Sequence, residues 1–220
     1  MRRIVFLKIS TICLIFGLIA CSDKPEQTRL PYYNAPDFTP EFFLKSSEAL
    51  NQVSHTIGHF SFVDQAGKAV TDTEVEGKIH VANFIFTSCI SICPVMTRHM
   101  KLLQKEFGKN TQVKMLSFSV TPWIDSVARL KVYAEKNQIV SPNWHLLTGA
   151  KGQIYDLARK SYFAEEDLGF TKDSTEFLHT EHIILVDKTK RIRGIYNGTL
   201  QLETEQLIRD VNALLKEGDL

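Results

Sequence analysis

The chain has 220 residues, of which 44% are hydrophobic and 23% are charged, a composition that excludes disordered and fibrous proteins. Its 26 basic and 25 acidic residues give a formal net charge of +1. A nucleic-acid-binding protein needs a basic stripe to neutralise phosphates, and this sequence has none, so nucleic acid is not an expected partner. The length predicts one globular domain with shorter segments attached.

Residues 1–20 have the organisation of a signal peptide. Arg2 and Arg3 precede an apolar run from Ile9 to Ala20, which is too short to cross a bilayer comfortably as a helix. The run ends at Cys21 in a pattern that resembles a bacterial lipobox, so Cys21 is the predicted lipid anchor. An ordinary signal peptide and an uncleaved membrane anchor are the alternatives. All three place the domain outside the cytoplasm.

Residues 21–54 are interpreted as a flexible, lipid-anchored tether. This stretch is polar and shows no sustained period of 2 or 3.6, and four prolines fall within sixteen positions: Pro25, Pro31, Pro36 and Pro40. Proline stiffens a chain into extended segments, which would hold the domain off the membrane surface. The folded domain is then expected over residues 55–220.

From residue 59 onwards the pattern predicts alternating strands and helices. The expected elements are a β-hairpin that begins at 60–63, strands at 79–86, 114–120 and 144–147, helices at 94–107, 126–136 and 152–161, a second hairpin of strands 181–186 and 191–196, and a final helix at 203–216. The strand at 79–86 is almost continuously apolar, which is typical of a central strand covered on both faces. The order predicts an α/β, thioredoxin-like fold: a mixed β-sheet flanked by helices, with an N-terminal β-hairpin.

Cys89 and Cys93 are the two cysteines of the predicted domain, since Cys13 and Cys21 belong to the N-terminal signal region. They lie between the end of the buried strand and the start of the next helix, in residues 86–94, which we call the cysteine loop. Unpaired N–H groups at a helix N-terminus favour a thiolate, so the pKa of a thiol there is expected to fall. Metal binding and disulfide exchange both require this thiolate form.

Three interpretations of the cysteine pair are open. A disulfide that only staples a secreted domain fits the compartment, but closing so short a loop contributes little stability because the gain grows with loop length. A thioredoxin-type dithiol separates its cysteines by two residues, whereas three residues separate Cys89 from Cys93. The wider spacing lets a metal join two sulfurs that are not within bonding distance of each other.

Several segments of the chain resemble one known family. They are 82–89, Cys93-Pro94 and Met96-Thr97 in the cysteine region, then 119–125, 144–149, 184–187 and 193–196. Together they are similar to the Sco/SenC family, copper-binding proteins of cytochrome c oxidase assembly, over residues 58–215. The sequence departs from the family pattern at Thr121, where an aspartate is common, and at Ile90, where proline is usual.

The resemblance implies a metal site formed by Cys89, Cys93 and a histidine just before the late hairpin. The family histidine precedes the aspartate position, here Asp187, by eight residues, which selects His179 over His182. His182 is interpreted as a hydrogen-bonded residue of the strand. Two thiolates and one imidazole suit Cu(I) in a three-coordinate site, and hold Cu(II) with an added ligand. Zinc fits the same donors, but the sequence shows neither a fourth protein ligand nor a general base at motif spacing.

Three residues on the predicted helix 94–107 need separate interpretation. Met96 and Met100 are soft metal donors, but their helical spacing favours a place in the core. His99 could approach the cysteine loop, although packing or surface roles are the default for the histidines other than His179.

The resemblance implies a membrane-anchored copper metallochaperone that delivers one copper ion to the dinuclear copper centre of cytochrome c oxidase. Its partners would be the copper-bearing subunit, other copper chaperones or thiol–disulfide reductants, and the membrane through Cys21. The alternative is a thiol–disulfide oxidoreductase in which Cys89 and Cys93 are a catalytic redox pair, acting on the oxidase's copper-ligand cysteines or in redox signalling. A scaffold lipoprotein with both cysteines permanently oxidised is the third possibility. Only the oxidoreductase would be an enzyme.

Overall fold

The computed structural model describes residues 29–165 and 177–217. In chain order the elements are β1 (Tyr32–Tyr33), β2 (Pro40–Glu41), α1 (Ser46–Gln52), β3 (Ser61–Val63), β4 (Ala69–Thr71), β5 (Ile79–Ile85), α2 (Cys93–Phe107), β6 (Val113–Ser119), α3 (Val127–Lys136), β7 (Trp144–Leu147), α4 (Lys151–Asp156), β8 (His182–Val186), β9 (Ile192–Asn197) and α5 (Gln201–Glu217). A π-helical turn at Leu157–Ser161 continues α4. The elements predicted after residue 59 agree with these bounds to within two residues.

Seven strands form one mixed sheet in the order β2-β1-β9-β8-β5-β6-β7. The β5–β6 and β6–β7 pairs are parallel, whereas β8 runs antiparallel to both β5 and β9. Every residue of β5 and β6 is buried, as expected for central strands covered on both faces. The predicted N-terminal hairpin is β3–β4, which forms a separate two-stranded sheet. The predicted α/β architecture is therefore confirmed.

Hydrophobic cores lie on both sides of the sheet. Helices α2, α3 and α5 pack on one face, where Met96 and Met100 are fully buried among residues of the strands. The hairpin β3–β4 and α4 pack on the other face. The burial of both methionines confirms that their helical spacing reflects core packing.

The polar and proline-rich stretch before the domain is folded onto it from residue 30 onwards, so the flexible tether predicted for residues 21–54 is wrong for that part. β1 pairs with β9 at the edge of the sheet. Arg193 donates hydrogen bonds to the carbonyls of Pro31 and Leu30 at 3.0 and 2.9 Å, and its guanidinium lies 4.0 Å from the Tyr32 ring centroid. These contacts come from residues about 160 positions away, so local sequence periodicity does not reveal them.

The predicted signal peptide, residues 1–20, and the predicted lipid anchor Cys21 lie outside the described residues. Within the described ranges, none of the helices combines the length and the hydropathy that crossing a membrane requires.

Candidate metal centre

The cysteine pair lies where the chain leaves β5 and enters α2. The backbone N–H of Cys89 donates to the carbonyl of Phe86 at 3.1 Å, which turns the chain directly after the strand. Cys93 is the first residue of α2, and Pro94 occupies the first turn, a position that proline suits because its missing N–H has no partner there in any helix. Cys89 is half-buried, whereas only 3% of Cys93 is exposed.

Neither thiol forms a disulfide, and a hydrogen bond at the N-terminus of α2 joins the two cysteines. The backbone N–H of Cys93 donates to the sulfur of Cys89 at 3.5 Å. The first N–H groups of a helix have no partner within the helix, so they stabilise a negative charge on a sulfur that accepts hydrogen bonds from them. This arrangement favours the thiolate at Cys89 specifically.

The pKa values of the two thiols move in opposite directions. Burial raises the pKa of Cys89, but hydrogen bonds from the N–H groups of Cys93, Ser91 and Ile92 and from the Cys93 thiol outweigh burial, so the pKa is lowered. Burial raises the pKa of Cys93 to about 12 against the opposing hydrogen bond from the N–H of Phe86. The predicted fall in thiol pKa therefore holds for Cys89 and is wrong for Cys93, whose side chain is buried in the core.

Asp125 has a fully buried carboxylate that accepts hydrogen bonds from the cysteine loop. The backbone N–H of Thr87 donates to its Oδ2 at 3.2 Å, and the Thr87 hydroxyl donates to its Oδ1 at 2.5 Å. The hydroxyls of Ser119 and Thr121 donate to Oδ2 at 2.7 and 3.0 Å. Because parallel strands β5 and β6 end at the same edge of the sheet, Asp125 connects the segments that follow them.

Arg129 of α3 holds the same loop from the solvent side. Its Nε donates to the Thr87 hydroxyl at 2.6 Å, its Nη2 donates to the Ser88 hydroxyl at 2.8 Å, and its Nε lies 3.6 Å from Oδ1 of Asp125. Sequence reasoning assigned no role to Arg129 or Asp125. Their i,i+4 spacing at a predicted helix start was the available signal, but nothing local pointed to Thr87, 42 positions earlier in the chain.

His179 lies at the same end of the sheet as the cysteines but does not join them. It is exposed, and its ring centroid lies 6.4 Å from that of Phe177, whose ring in turn packs edge-on against Phe86 at 5.6 Å. In the part of the chain that the structure describes, no three His, Cys, Asp or Glu side chains are close enough together to hold a metal ion. The structure thus brings Cys89 and Cys93 together, and His179 as a third ligand stays a prediction.

His182 and His99, the other histidines considered as possible ligands, have different contacts. His182 begins β8, where its Nδ1 donates to the carbonyl of Ala164 at 3.0 Å and its ring packs against Phe38, as expected for a hydrogen-bonded strand residue. His99 is buried, and its Nδ1 donates to the carbonyl of Gly198 at 2.7 Å. Both imidazole rings are therefore hydrogen-bonded to backbone carbonyls of the domain.

Comparison with known proteins identifies a family and several similar structures. The family model described as SCO1/SenC matches residues 48–216. A SCO1/SenC family lipoprotein from Bacillus anthracis is 30% identical with a TM-score of 0.64, over 74% of this chain and 96% of that one. BsSco, described as having a disulfide switch and as a member of the Sco family of cytochrome c oxidase assembly proteins, is 31% identical with a TM-score of 0.60, over 73% and 93%.

A third similar structure contains a metal. ScoI from Bradyrhizobium japonicum, solved with copper bound, is 27% identical with a TM-score of 0.57, over 73% of this chain and 99% of that one. Together with the family match, these similarities confirm the thioredoxin-like fold.

Proposed function

The chain belongs to the SCO1/SenC family, and on that premise we propose that it is a copper metallochaperone. It binds one copper ion through Cys89, Cys93 and His179, and delivers the ion to the dinuclear copper centre of cytochrome c oxidase during assembly. Copper in the Bradyrhizobium japonicum relative and the membership of BsSco in a family of oxidase assembly proteins support this proposal.

The observation that carries the proposal is the pair of free thiols at the N-terminus of α2. Thiolates are soft ligands that select Cu(I) over harder cations. The lowered pKa of Cys89 makes its thiolate available to a metal, whereas Cys93 keeps its proton until a cation displaces it. Copper binding at this pair is therefore coupled to proton release from Cys93.

His179 supplies the borderline ligand that completes the proposed set. Its exposure leaves the imidazole accessible, and the Phe177–Phe86 contact holds its segment beside the end of β5. Copper held by few ligands and open to solvent at Cys89 is suited to ligand exchange, in which a donor of the recipient displaces one protein ligand at a time. When each protein ligand has been replaced in turn, the copper ion is bound by the recipient.

A second candidate function is thiol–disulfide exchange, which the opposite pKa shifts of the two cysteines favour. The half-buried Cys89 thiolate attacks one sulfur of a partner disulfide and forms a mixed disulfide, releasing the other partner sulfur as a thiolate. Cys93 then loses its proton and attacks Cys89, which releases the second partner thiol. The partner is reduced and the Cys89–Cys93 pair is oxidised. The recipient's copper-ligand cysteines are the proposed substrate, and a thiol–disulfide reductant would regenerate the dithiol.

We also propose that the domain is an extracytoplasmic lipoprotein, cleaved after residue 20 and anchored to a membrane through Cys21. The Bacillus anthracis relative is a lipoprotein, which supports this placement. Copper chaperones that load the protein would act in the same compartment.

Cu(I) titration of the reduced mature protein against a chromophoric chelator, without oxygen, tests the proposal. We expect one copper ion per chain, lost in Cys89→Ser and Cys93→Ser and in His179→Ala, and retained in the matched control His182→Ala. Weak copper binding together with rapid, reversible exchange with glutathione would overturn the metallochaperone and favour the oxidoreductase. Retention of copper by His179→Ala alone would remove that residue from the ligand set.

A further inference from the structure

A groove of about 740 Å³ opens beside Cys89. It is bounded by the cysteine loop, the start of α2, the segment that follows β6, and the outer face of α3. Cys89 lines this groove, so a molecule seated there has direct access to the sulfur. A partner's donor atom can therefore approach Cys89 from this groove.

The groove has apolar walls that the fold leaves exposed. Ile124 and Val132 line it and are 42% and 62% exposed. Ile90 and Trp123, next in sequence to the groove residues Cys89 and Ile124, are 97% and 58% exposed. Large exposed apolar side chains concentrated around one site are typical of a binding surface.

Positively charged side chains line part of the groove. Arg129 and Lys136 are the described lining residues with a positive charge, and no aspartate or glutamate of the described chain lines the groove. The Cys89 thiolate is the one negative group that its described lining can supply. Arg129 is already paired with the fully buried Asp125, whose Oδ1 lies 3.6 Å from its Nε. Lys136 makes no ion pair with the described part of the chain. A ligand with carboxylates complements such a surface.

We propose that this groove is the docking site for an extended, acidic segment of a partner protein that carries a cysteine. The segment's sulfur faces Cys89, its apolar side chains contact Ile124 and Val132, and a carboxylate pairs with Lys136. This inference rests on the proposed function, because ligand exchange at copper requires a partner sulfur to reach Cys89. Thiol–disulfide exchange has the same requirement, so the docking surface serves either chemistry.

Fluorescence anisotropy with the reduced mature protein tests docking separately from copper chemistry. The probe is a labelled peptide rich in glutamate and leucine with one central cysteine, and its counterpart has each glutamate replaced by lysine. We expect the acidic peptide to bind more tightly. Lys136→Gln should weaken its binding roughly threefold, as expected for an exposed ion pair, and Val132→Ser should weaken it further.

Two matched variants control for general effects on charge and on the surface. Lys131→Gln removes the same charge from an exposed position of α3 outside the groove, and Val140→Ser removes an exposed apolar side chain elsewhere. Both should bind the acidic peptide as the wild type does. Equal weakening by Lys131→Gln and Lys136→Gln, or equal binding of the two peptides, would overturn the docking site.

Two further measurements distinguish a failure of the docking site from a failure of the proposed function. Cu(I) stoichiometry of Lys136→Gln should equal that of the wild type, since Lys136 is not a proposed ligand. Normal copper binding without peptide discrimination would contradict the docking site alone, whereas absent copper binding in the wild type would contradict the metallochaperone alone. A dimer in sedimentation experiments that Val132→Ser dissociates would assign the groove to a second copy of the chain and overturn the proposal.

Discussion

The backbone N–H of Cys93 donates a hydrogen bond to the sulfur of Cys89 across 3.5 Å. This contact makes the two thiols unequal, because one sulfur accepts from the helix N-terminus and the other is buried behind it. We therefore expect Cys89 to be the more reactive thiol, since its pKa is lowered. Cys93 should keep its proton to a higher pH, since burial raises its pKa.

Alkylation of the metal-free, reduced protein should distinguish the two thiols. Cys89 should react with iodoacetamide at pH values below those that an ordinary thiol needs, since its pKa is lowered. Cys93 should stay unmodified through the same pH range, because burial both raises its pKa and blocks access. Mass spectrometry of peptides after timed alkylation measures both rates. Equal rates at the two positions would contradict the asymmetry of the pair.

The raised pKa of Cys93 predicts a loss of stability at high pH. The folded protein holds the Cys93 proton more tightly than the unfolded chain does, so the stabilisation is fully present below the ordinary thiol pKa. It is lost as pH rises from that value towards about 12, since the unfolded chain releases its proton first. Urea unfolding across this range should show a smaller decline in Cys93→Ala than in the wild type. Tyrosines and lysines titrate in the same pH range in both proteins, so their effect on the free energy of unfolding cancels in the comparison.

Arg129→Gln should loosen the cysteine loop without unfolding the domain. The change removes the hydrogen bonds to the Thr87 and Ser88 hydroxyls, but the guanidinium is about half exposed, so the expected cost is only about 1 kcal/mol. If that cost is felt at the metal site, about 1 kcal/mol corresponds to a roughly fivefold fall in Cu(I) affinity, and Cys89 alkylation should change its pH profile. Arg129→Lys should restore part of the Cu(I) affinity and part of the wild-type alkylation profile.

The matched control for Arg129→Gln is Arg98→Gln, an exposed arginine of α2 that does not line the groove. It should leave copper affinity and alkylation unchanged. A similar loss of affinity in both variants would show that net charge, rather than the hold on the loop, is responsible.

Asp125→Asn should destabilise the domain by about 2 kcal/mol. The hydroxyls of Ser119 and Thr121 can rotate to accept from an amide, but the backbone N–H of Thr87 can only donate and loses a charged acceptor. Thermal or urea unfolding measures the change. The control is Asp156→Asn, which removes an exposed i,i+4 pair with Lys160 and should change stability by less than about 0.5 kcal/mol. Equal effects would refute the supporting role of Asp125.

Arg193→Gln should release the N-terminal segment from the sheet. The guanidinium is buried between Asp187 and Glu217 and also binds the carbonyls of Leu30 and Pro31. Removing it leaves two partly buried carboxylates without their cation, at an expected cost of about 3 kcal/mol. Limited proteolysis should then cut within residues 30–53, a segment that the wild type protects. The exposed Arg209→Gln on α5 should leave the wild-type pattern intact.

The sequence predicted the order of strands and helices because each one shows either a local period of 2 or 3.6 or a continuous apolar run, with a recognisable start or end. β5 is an example, since its run of apolar residues indicated a strand buried on both faces before any partner strand was known. The cysteine loop could be found because its two cysteines and the proline in the first turn of α2 lie within six residues of each other in the sequence. His182 in β8 was also correctly interpreted from the apolar residues around it.

The folding of residues 30–54 onto the domain could not be predicted in this way. β1 and β2 have only two residues each, too few to show a period. Their stabilisation comes from Tyr32, Ala49 and Val53 packing together and from Arg193 far along the chain. Proline and polar residues in a short segment indicate a tether only when no distant partner exists.

The sequence by itself determined the family, the fold class and the two thiols, because these depend on residue types at fixed local spacings. Only the tertiary structure decided that the pKa of Cys89 is lowered and that of Cys93 is raised, since each depends on burial and on N–H groups whose directions are set by packing. It also decided that Asp125 and Arg129 hold the cysteine loop, and that Lys136 and Val132 line the groove beside Cys89. These roles arise because parallel strands end at one edge of the sheet, which brings together residues that are tens of positions apart.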